Sequence, residues 1–323
     1  MSVVFEAEYR LLQLQARSMA LFLPEDLARE IVVIDNSARG MPDSVRAELM
    51  AAYGHLAPRV QIRRPRDISR VPSTIGWRSQ QVLKLCVAEM LTSDRYVVLD
   101  AKNHFVRTLE PDFFEAADGR LRAIFYSYEK HPLRGELEHV LGYLGLDPAT
   151  HVEHFTATVT PFALDTGIVM SMIQGIEQRS GKDFAREFVA NDLLEFFLYA
   201  GWIIANGKSL EDVYDSDHVY CPIVWPHAAN LAGVQDAVRT ANERRTPLFT
   251  VHRRALARLD RDSATAVAEF WTESGLFPSV DDAERFIRGF QRAYDKEMRM
   301  QRIRDTPHKL KRKLKNRFPR ILA

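Results

Sequence analysis

The sequence lacks, or has little of, several features that mark specialised classes of protein. Its 323 residues include only two cysteines, Cys86 and Cys221, and neither has a second Cys or a His at the spacing of a zinc site. A disulfide-stabilised fold is therefore excluded, and both cysteines are predicted to be reduced thiols in the core. No apolar run reaches the roughly 18 uncharged residues that cross a membrane. The opening residues carry no basic stretch, which predicts a cytoplasmic location.

What the sequence does contain is the composition of an ordinary globular protein with an uneven charge distribution. Hydrophobic residues make up 46%, aromatic residues 10% and charged residues 27%, which is enough apolar material for a sizeable core. The net charge is +1, but residues 299–323 hold ten Lys or Arg and one acidic residue, a charge of +9. The rest of the chain carries −8. An acidic body argues against a nucleic-acid-binding core, and a basic tail predicts a different partner for the end of the chain.

Strand and helix signals alternate through the first hundred residues. Apolar runs predict strands at 3–5, 31–34, 60–63 and 96–99, and residues 9–23, 42–56 and 77–91 between them have helical periodicity. The runs at 31–34 and 96–99 are continuous, which is typical of parallel strands covered on both faces. This order predicts an α/β fold with a mostly parallel open sheet flanked by helices.

The rest of the chain has a looser pattern. Extended segments are predicted at 122–128, 159–164, 167–170 and 248–252, and helices at 133–144, 172–179, 192–204, 263–273 and 279–304. Ser279, with Asp282 three residues later, indicates a capped start for the last helix. The predicted organisation is an α/β domain at 1–258 that contains the candidate functional residues, a helical extension at 259–304 packed on it and a basic amphipathic tail at 305–323.

Polar residues follow two of the continuous apolar runs. Asp35 ends the run at 31–34, and Asp100, Lys102 and Asn103 follow the run at 96–99. Ligands of open α/β sheets bind beyond the carboxyl ends of the strands, which makes these residues candidates for a binding site. Aspartate and asparagine also begin ordinary turns, so a purely local role for them stays open.

The helix before the second of these runs carries a polar stripe. At 100° per residue, Trp77, Gln80, Gln81 and Lys84 fall within about 100° of one another, opposite an apolar face. Hydrogen-bond donors at this density suit an anionic, hydroxyl-rich ligand. The alternative is an exposed helix face on which the lysine stem covers apolar surface.

Five segments of the chain carry a resemblance to a known family, at 76–84, 96–107, 160–162, 195–199 and 249–253, within a region from residue 3 to residue 271. In order and spacing they resemble a bacterial protein family related to the GT-A-type glycosyltransferases. The resemblance implies a GT-A-like, Rossmann-like fold with C-terminal helices. It also implies transfer of a hexose or related sugar from a nucleotide-diphosphate donor in polysaccharide biosynthesis, with a glycan or lipid-linked acceptor.

The resemblance also implies a metal ion, and here the sequence departs from the family pattern. The strand-end motif of GT-A enzymes is Asp-x-Asp, whose carboxylates hold Mg²⁺ or Mn²⁺ against the donor diphosphate, but Lys102 stands at the third position. One hypothesis is metal-independent transfer, with the Lys102 ammonium offsetting charge on the departing diphosphate. The other retains a metal held by Asp100 and His252. By the same resemblance Asp35 faces the nucleoside, and Asn103 and Tyr199 belong to the donor-binding residues.

The predicted helix at 192–204 provides the candidate catalytic carboxylates. Asp192, Glu195 and Tyr199 are spaced to project from one helical face among large apolar residues. Apolar surroundings raise the pKa of a carboxyl group, which suits a general base for an acceptor hydroxyl. We predict Glu195 as the base, with Asp192 second. The alternatives are that Asp192 only caps the helix and that Glu195 pairs with a nearby arginine.

The basic tail has apolar residues at every fourth position, Leu310, Leu314 and Phe318. Such a segment is typical of peripheral binding to an anionic inner membrane, with a solvated tail and RNA binding as alternatives.

The leading functional prediction is a glycosyltransferase. The alternative is a non-catalytic nucleotide-sugar-binding or scaffold protein with a degenerate Asp-x-Asp motif. A nucleotidyltransferase is disfavoured because no glycine-rich phosphate loop follows the first strand.

Overall fold

The structure is a computed structural model that describes residues 1–71, 76–216 and 221–317, with side chains through residue 300. Its strands are β1 (Ser2–Val4), β2 (Ile31–Asp35), β3 (Val60–Arg63), β4 (Arg95–Val98), β5 (Asn103–Phe105), β6 (Leu121–Arg122), β7 (Phe125–Tyr126), β8 (Phe155–Thr156), β9 (Phe162–Asp165), β10 (Tyr214–Asp215), β11 (Ile223–Val224) and β12 (Leu248–Val251). Its α-helices are α1 (Tyr9–Phe22), α2 (Asp43–Tyr53), α3 (Gly76–Cys86), α4 (Arg134–Leu144), α5 (Thr166–Ser180), α6 (Phe184–Ala190), α7 (Glu195–Ala205), α8 (Leu231–Glu243), α9 (Arg253–Leu256), α10 (Arg261–Glu273) and α11 (Val280–Arg317).

Three parallel strands form one side of the sheet, in which β2 pairs with β3 on one edge and with β1 on the other. A parallel bridge between Ser2 and Leu99 places β1 beside the end of β4, which gives the spatial order β3-β2-β1-β4. Strand β9 pairs antiparallel with β4, and β12 pairs antiparallel with β5. The order reverses between β1 and β4, and such a reversal is where open α/β sheets bind ligands.

Burial explains why these segments form a covered sheet. All five residues of β2 are buried, which is the pattern of a parallel strand with helices on both faces. Helix α7 lies inside the core, and Phe196, Phe197 and Leu198 at its start are buried almost completely. Helices α5 and α7 approach so closely that a Cβ on Gly175 would lie 2.3 Å from the Trp202 ring. The burial of Phe196, Phe197 and Leu198 places the first turn of α7 within the core.

The chain divides into two compact units. One contains Met1–Ile223 with Arg239–Thr250, and the other contains Val224–Val238 with the chain from Val251 onward. In the second unit, α10 and α11 pack through the rings of Trp271, Phe277 and Phe286. Taken one at a time, none of the described helices is long and apolar enough to cross a membrane; α6 and α7 meet those criteria only as a pair bent by 106°.

The α/β class and the parallel open sheet flanked by helices are confirmed, and the first four predicted strands agree with β1 to β4 within two residues. The extended segment predicted at 167–170 is wrong, because these residues belong to α5, whose start is fixed by the Asp165 side chain accepting a hydrogen bond from the Ile168 amide. The single strand predicted at 122–128 is wrong as well, since residues 121–126 form parts of the two short strands β6 and β7. Ser279 caps α11 as predicted, accepting from the Asp282 amide.

The predicted domain boundaries stay predictions. Helix α11 continues without a break past residue 305, where the tail was predicted to begin. The side chains of the predicted amphipathic tail lie outside the described residues, as do residues 318–323 entirely.

Candidate active site

Four charged side chains meet beyond the carboxyl end of β4. The Lys84 ammonium, from α3, lies 3.2 Å from Asp100 Oδ1 and 3.2 Å from Glu195 Oε1. The Lys102 ammonium pairs with the other oxygen of Asp100, Oδ2. One lysine therefore connects two carboxylates that are 95 residues apart in the chain, and a second lysine pairs with the other oxygen of Asp100. We call these four residues the lysine–carboxylate cluster.

The cluster has a buried half and an exposed half. The side chains of Lys84 and Glu195 are each 9% exposed, whereas those of Lys102 and Asp100 are 19% and 29% exposed. The buried ammonium is further enclosed by the Phe196 ring, whose centroid lies 5.4 Å from the Lys84 nitrogen. A ligand that reaches the site from solvent meets Asp100 and Lys102 first.

Burial and charge shift the two carboxyl groups in opposite directions. Burial alone would raise the pKa of Asp100, but Lys102 and Lys84 outweigh it and hold that pKa well below its usual range. Burial raises the pKa of Glu195, and the Lys84 charge reverses only part of the rise. For Lys84, burial is more than offset by Asp100 and Glu195, which raise its pKa. Two carboxyl groups whose pKa values are shifted in opposite directions are suited to different roles, Asp100 as a fixed anion and Glu195 as a proton acceptor.

The turn that carries Asp100 is fixed by side chains from three other parts of the fold. Asn103 accepts from the Asp100 amide at 2.7 Å and donates to the Thr160 carbonyl at 3.1 Å and the Thr250 hydroxyl at 2.7 Å. Gln15, buried in α1, donates to the carbonyls of Asp100 and Asn103 at 2.7 and 2.9 Å. Asn103 is fully buried, so the structure gives this predicted donor-binding residue an internal role in shaping the turn.

The polar stripe of α3 runs from the surface to the interior. Trp77 is 58% exposed, Gln80 is half-buried, and Gln81 and Lys84 are buried. The side-chain oxygen of Gln81, Oε1, accepts a hydrogen bond from the backbone amide of Glu195 at 3.3 Å. Its side-chain nitrogen is buried and has no hydrogen-bond partner within the described parts of the chain. An unpaired buried donor is costly, and it points to a ligand oxygen beside the cluster.

Asp192 does not share a helical face with Glu195, and that prediction is wrong. Helix α7 starts at Glu195, and Asp192 lies before it with a φ of +51°. Its side chain is 71% exposed and pairs with Arg78 at 2.7 Å. The turn at positive φ breaks the helical spacing from which the shared face was deduced.

Two further predicted site residues have partners within the protein. Tyr199 is fully buried, and its hydroxyl accepts a hydrogen bond from the Asp165 amide at 3.1 Å. Asp35 is also buried, and its carboxylate accepts from Tyr9, from the Ser37 and Met41 amides and from Arg64. Four donors fill the acceptor positions of one carboxylate. The donor-binding assignments themselves stay predictions; they cover Asp35, Trp77, Gln80, Gln81, Lys84, Asp100, Asn103 and Tyr199.

The residues at the cluster do not fit a divalent metal ion. Mg²⁺ and Mn²⁺ need several oxygen ligands, yet both oxygens of Asp100 accept from lysine ammonium groups. In the described parts of the chain, no three His, Cys, Asp or Glu side chains are grouped as metal ligands. The ring of His252, in the second unit, accepts from the Arg254 amide and lies beside Trp225. The pairing of His252 with Asp100 on a metal stays a prediction.

Sequence reasoning missed Gln15, and it included Thr160 only as part of the resembling segment 160–162, without a role in the site. Gln15 lies among the apolar residues of α1, and a polar residue that interrupts an apolar helical face is the signal that could have identified it. Thr160 is buried next to Asn103, and its hydroxyl has no hydrogen-bond partner among the residues described. Its sequence neighbours carry no periodic signal, so its position follows only from the fold.

Several solved structures similar to this chain are glycosyltransferases. The galactosyltransferase LgtC, crystallised with donor and acceptor sugar analogues, is 14% identical with a TM-score of 0.48, over 85% of this chain and 95% of that one. The bifunctional glycosyltransferase WbbM is 11% identical with a TM-score of 0.46, over 77% of this chain and 44% of that one. Mouse xyloside xylosyltransferase 1 is 11% identical with a TM-score of 0.41, over 77% and 95%. These likenesses concern the fold, and no residue role is transferred from them.

A search of curated proteins by sequence found no match. One protein family does match, over residues 18–251, which include β2 to β12 and the whole lysine–carboxylate cluster. Since the match spans more than half of the sequence, the chain belongs to the family of unknown function DUF6492.

Proposed function

We propose that this protein is a glycosyltransferase that moves a sugar from a nucleotide-diphosphate donor to the hydroxyl of a glycan or lipid-linked acceptor. The observation that carries the proposal is the lysine–carboxylate cluster, which lies at the end of β4 where the strand order reverses. The cluster offers a partly exposed lysine for an anionic leaving group and a carboxylate with a raised pKa for a hydroxyl proton. The sequence segments that resemble GT-A enzymes include all four of its residues, at 76–84, 96–107 and 195–199.

In the proposed reaction, the bond between the anomeric carbon and the diphosphate oxygen breaks, and a bond from that carbon to the acceptor oxygen forms. Lys102 offsets the charge left on the diphosphate. Glu195 takes the acceptor proton, since burial raises its pKa towards that of a working base. Lys84 orients both carboxylates, and the unpaired amide nitrogen of Gln81 donates to a sugar hydroxyl or phosphate oxygen.

The first experiment is a thermal-shift panel of UDP-, GDP-, CMP- and dTDP-sugars. A ligand present at 100 times its dissociation constant adds about 2.7 kcal/mol to the free energy of unfolding, which is a readily measured shift. We expect stabilisation by one nucleotide class, followed by transfer or slow hydrolysis of that donor. No shift with any donor contradicts the proposal.

The proposed base is tested by Glu195→Gln, with Glu187→Gln as its matched control. Glu187 is also a buried helical glutamate paired with a lysine, Lys182 at 3.0 Å, but it lies outside the cluster. We expect Glu195→Gln to lower turnover at least about 100-fold, the usual contribution of a general base, and Glu187→Gln to leave it within a few-fold. Equal turnover in the two variants removes Glu195 from the reaction.

A second candidate is a non-catalytic protein that binds a nucleotide sugar. The observation that favours it is the pairing of both Asp100 oxygens with lysines, which departs from the Asp-x-Asp pattern. Donor binding without transfer or hydrolysis, for any acceptor tested, favours this candidate over the enzyme.

The basic tail is proposed to hold the protein on the cytoplasmic face of an anionic membrane. Support comes from the sequence alone, in the recurrence of Leu310, Leu314 and Phe318 among lysines and arginines. Full-length protein is expected to sediment with phosphatidylglycerol vesicles. Replacing Lys309, Lys311, Lys313 and Lys315 together by Gln is expected to release it. Sedimentation that is the same for both proteins contradicts the anchor.

A further inference from the structure

Asp100 is the one carboxylate that remains of the metal-binding pattern, and each of its oxygens pairs with a lysine. Lys84 binds Oδ1 at 3.2 Å, and Lys102 binds Oδ2. A divalent cation that used Asp100 as a ligand would have to displace an ammonium or bear its repulsion at close range. Lys84 is the harder to displace, because it is buried and is also held by Glu195 at 3.2 Å. The metal implied by the family resemblance therefore disagrees with the residues present.

The two lysines of the cluster carry the positive charge that a metal ion would otherwise supply. Two lysines supply the same +2 as a divalent ion, and they oppose the two carboxylates Asp100 and Glu195. The cluster is neutral before a ligand binds. An ammonium has three donors, and Lys102 directs one of them at Asp100. Because its side chain is partly exposed, Lys102 retains donors that an anion arriving from solvent can meet.

We infer that the protein binds the donor diphosphate without a metal ion, and that Lys102 makes the contact to phosphate that a divalent cation would otherwise make. The inference rests on the proposed function, because it concerns how the same site holds its donor. A fixed ammonium aimed at the leaving phosphate stabilises the developing charge as a cation would. The buried pairing with Lys84 and Glu195 keeps Asp100 in place while Lys102 contacts the ligand.

The inference is tested by calorimetric titration of UDP, GDP, CDP and dTDP into the full chain, in EDTA, in Mg²⁺ and in Mn²⁺. Equal affinity for one nucleotide in all three buffers supports it. Binding only with a metal overturns the inference and leaves the proposed function standing. Absence of binding in every buffer overturns both, so the two failures are distinguishable.

A variant adds a readout that does not depend on activity. Lys102→Asp restores the Asp-x-Asp pattern, and Lys208→Asp makes the same charge change on the exposed turn beyond the other end of α7. The loss of the free Mn²⁺ signal in electron paramagnetic resonance, recorded without nucleotide because diphosphates bind Mn²⁺ themselves, measures metal binding by the protein. We expect Mn²⁺ binding by Lys102→Asp and none by the native chain or Lys208→Asp. Mn²⁺ binding by the native chain overturns the inference.

Lys102→Met tests the contact itself. Hydrogen bonds to charged groups contribute about 1.5–3 kcal/mol, so losing this one is expected to weaken nucleotide binding in EDTA about 10- to 100-fold. Lys182→Met, which also removes a lysine that pairs with a glutamate, is the control. Unchanged affinity in Lys102→Met contradicts the assignment of the phosphate contact to Lys102.

Discussion

Asp35 and Asp100 both follow parallel strands of the same sheet, yet the structure treats their carboxylates differently. Asp35 ends β2, is 1% exposed, and is held by one arginine, one tyrosine and two backbone amides. Asp100 follows β4, is partly exposed, and is held by two lysines. Three of the Asp35 donors are two backbone amides and the buried Tyr9 hydroxyl, and the fourth is Arg64, whose side chain is 30% exposed. Both Asp100 donors are ammonium groups on flexible lysine stems, of which Lys102 is 19% exposed.

This difference separates an aspartate that stabilises the fold from one that can exchange partners. Around Asp35, three of the four donors belong to the chain after β2 or to buried Tyr9, so the carboxylate stays bound even where Arg64 moves. Around Asp100, one partner is buried and the other faces solvent, so a ligand can take over the exposed partner while the buried one remains. Position at a strand end is therefore shared by both aspartates, and the nature of the partners distinguishes them.

The largest expected effect comes from Lys84→Met, which removes the buried partner of Asp100. Two carboxylates then lose their common cation, and breaking a buried pair costs about 3–5 kcal/mol. Urea denaturation measures the loss. The matched variant Lys102→Met removes the exposed partner and is expected to cost less than about 1 kcal/mol. Equal losses would show that the two halves of the cluster do not differ.

Acid pH tests the Asp100 turn through its neighbour His104. Burial lowers the pKa of His104 to about 4, so the folded state holds a neutral ring while the unfolded chain binds a proton below about 6.5. The free energy of unfolding should therefore fall as the pH drops from 6.5 towards 4, by about 3 kcal/mol in total. In His104→Gln this part of the fall is expected to disappear. An unchanged pH dependence in the variant contradicts the assignment.

Asp35→Asn tests the other side of the comparison. Asn has one acceptor oxygen and one donor nitrogen, so it leaves part of the Arg64, Tyr9 and backbone donors unmatched. We expect a loss of about 2–3 kcal/mol in the free energy of unfolding. The same change at Asp100 is expected to cost less stability and more nucleotide affinity. Reversal of this order would contradict the roles assigned to the two aspartates.

The smallest expected effect is that of Asp192→Ala. The ion pair with Arg78 is mostly exposed, and such pairs contribute roughly 0–1 kcal/mol. Denaturation of the variant in low and high salt should give nearly the same free energy of unfolding as the native chain. A loss comparable to that of Lys84→Met would mean that Asp192 belongs to the cluster.

The sheet could be predicted from sequence because its signals are local. The apolar run of β2 identifies a buried parallel strand without knowledge of its neighbours, and the run at 96–99 identifies β4 as a strand, although β4 is only partly buried and pairs antiparallel with β9. The same local reasoning located Asp100 at a strand end and Lys84 on the polar stripe of α3. It could not join them to Glu195, since the Lys84–Glu195 contact spans 111 residues and depends on where α7 packs.

Two local errors have physical causes. Residues 168 and 169 are β-branched, which favours an extended prediction, but the cap supplied by Asp165 starts a helix there. Asp192 was assigned to the same helix as Glu195 because spacing alone does not reveal a residue at positive φ. Gln15 escaped notice because its partners are backbone carbonyls 85 and 88 residues away.

The sharing of one ammonium by Asp100 and Glu195 has a consequence for how relatives of this protein can diverge. Replacement of Lys84 by an apolar residue leaves two like charges buried side by side, so its cost depends on what occupies positions 100 and 195. Substitutions at the three positions are therefore expected to covary. A family member that has lost the lysine should also have lost at least one of the two acids, and a member that retains both acids should retain the lysine.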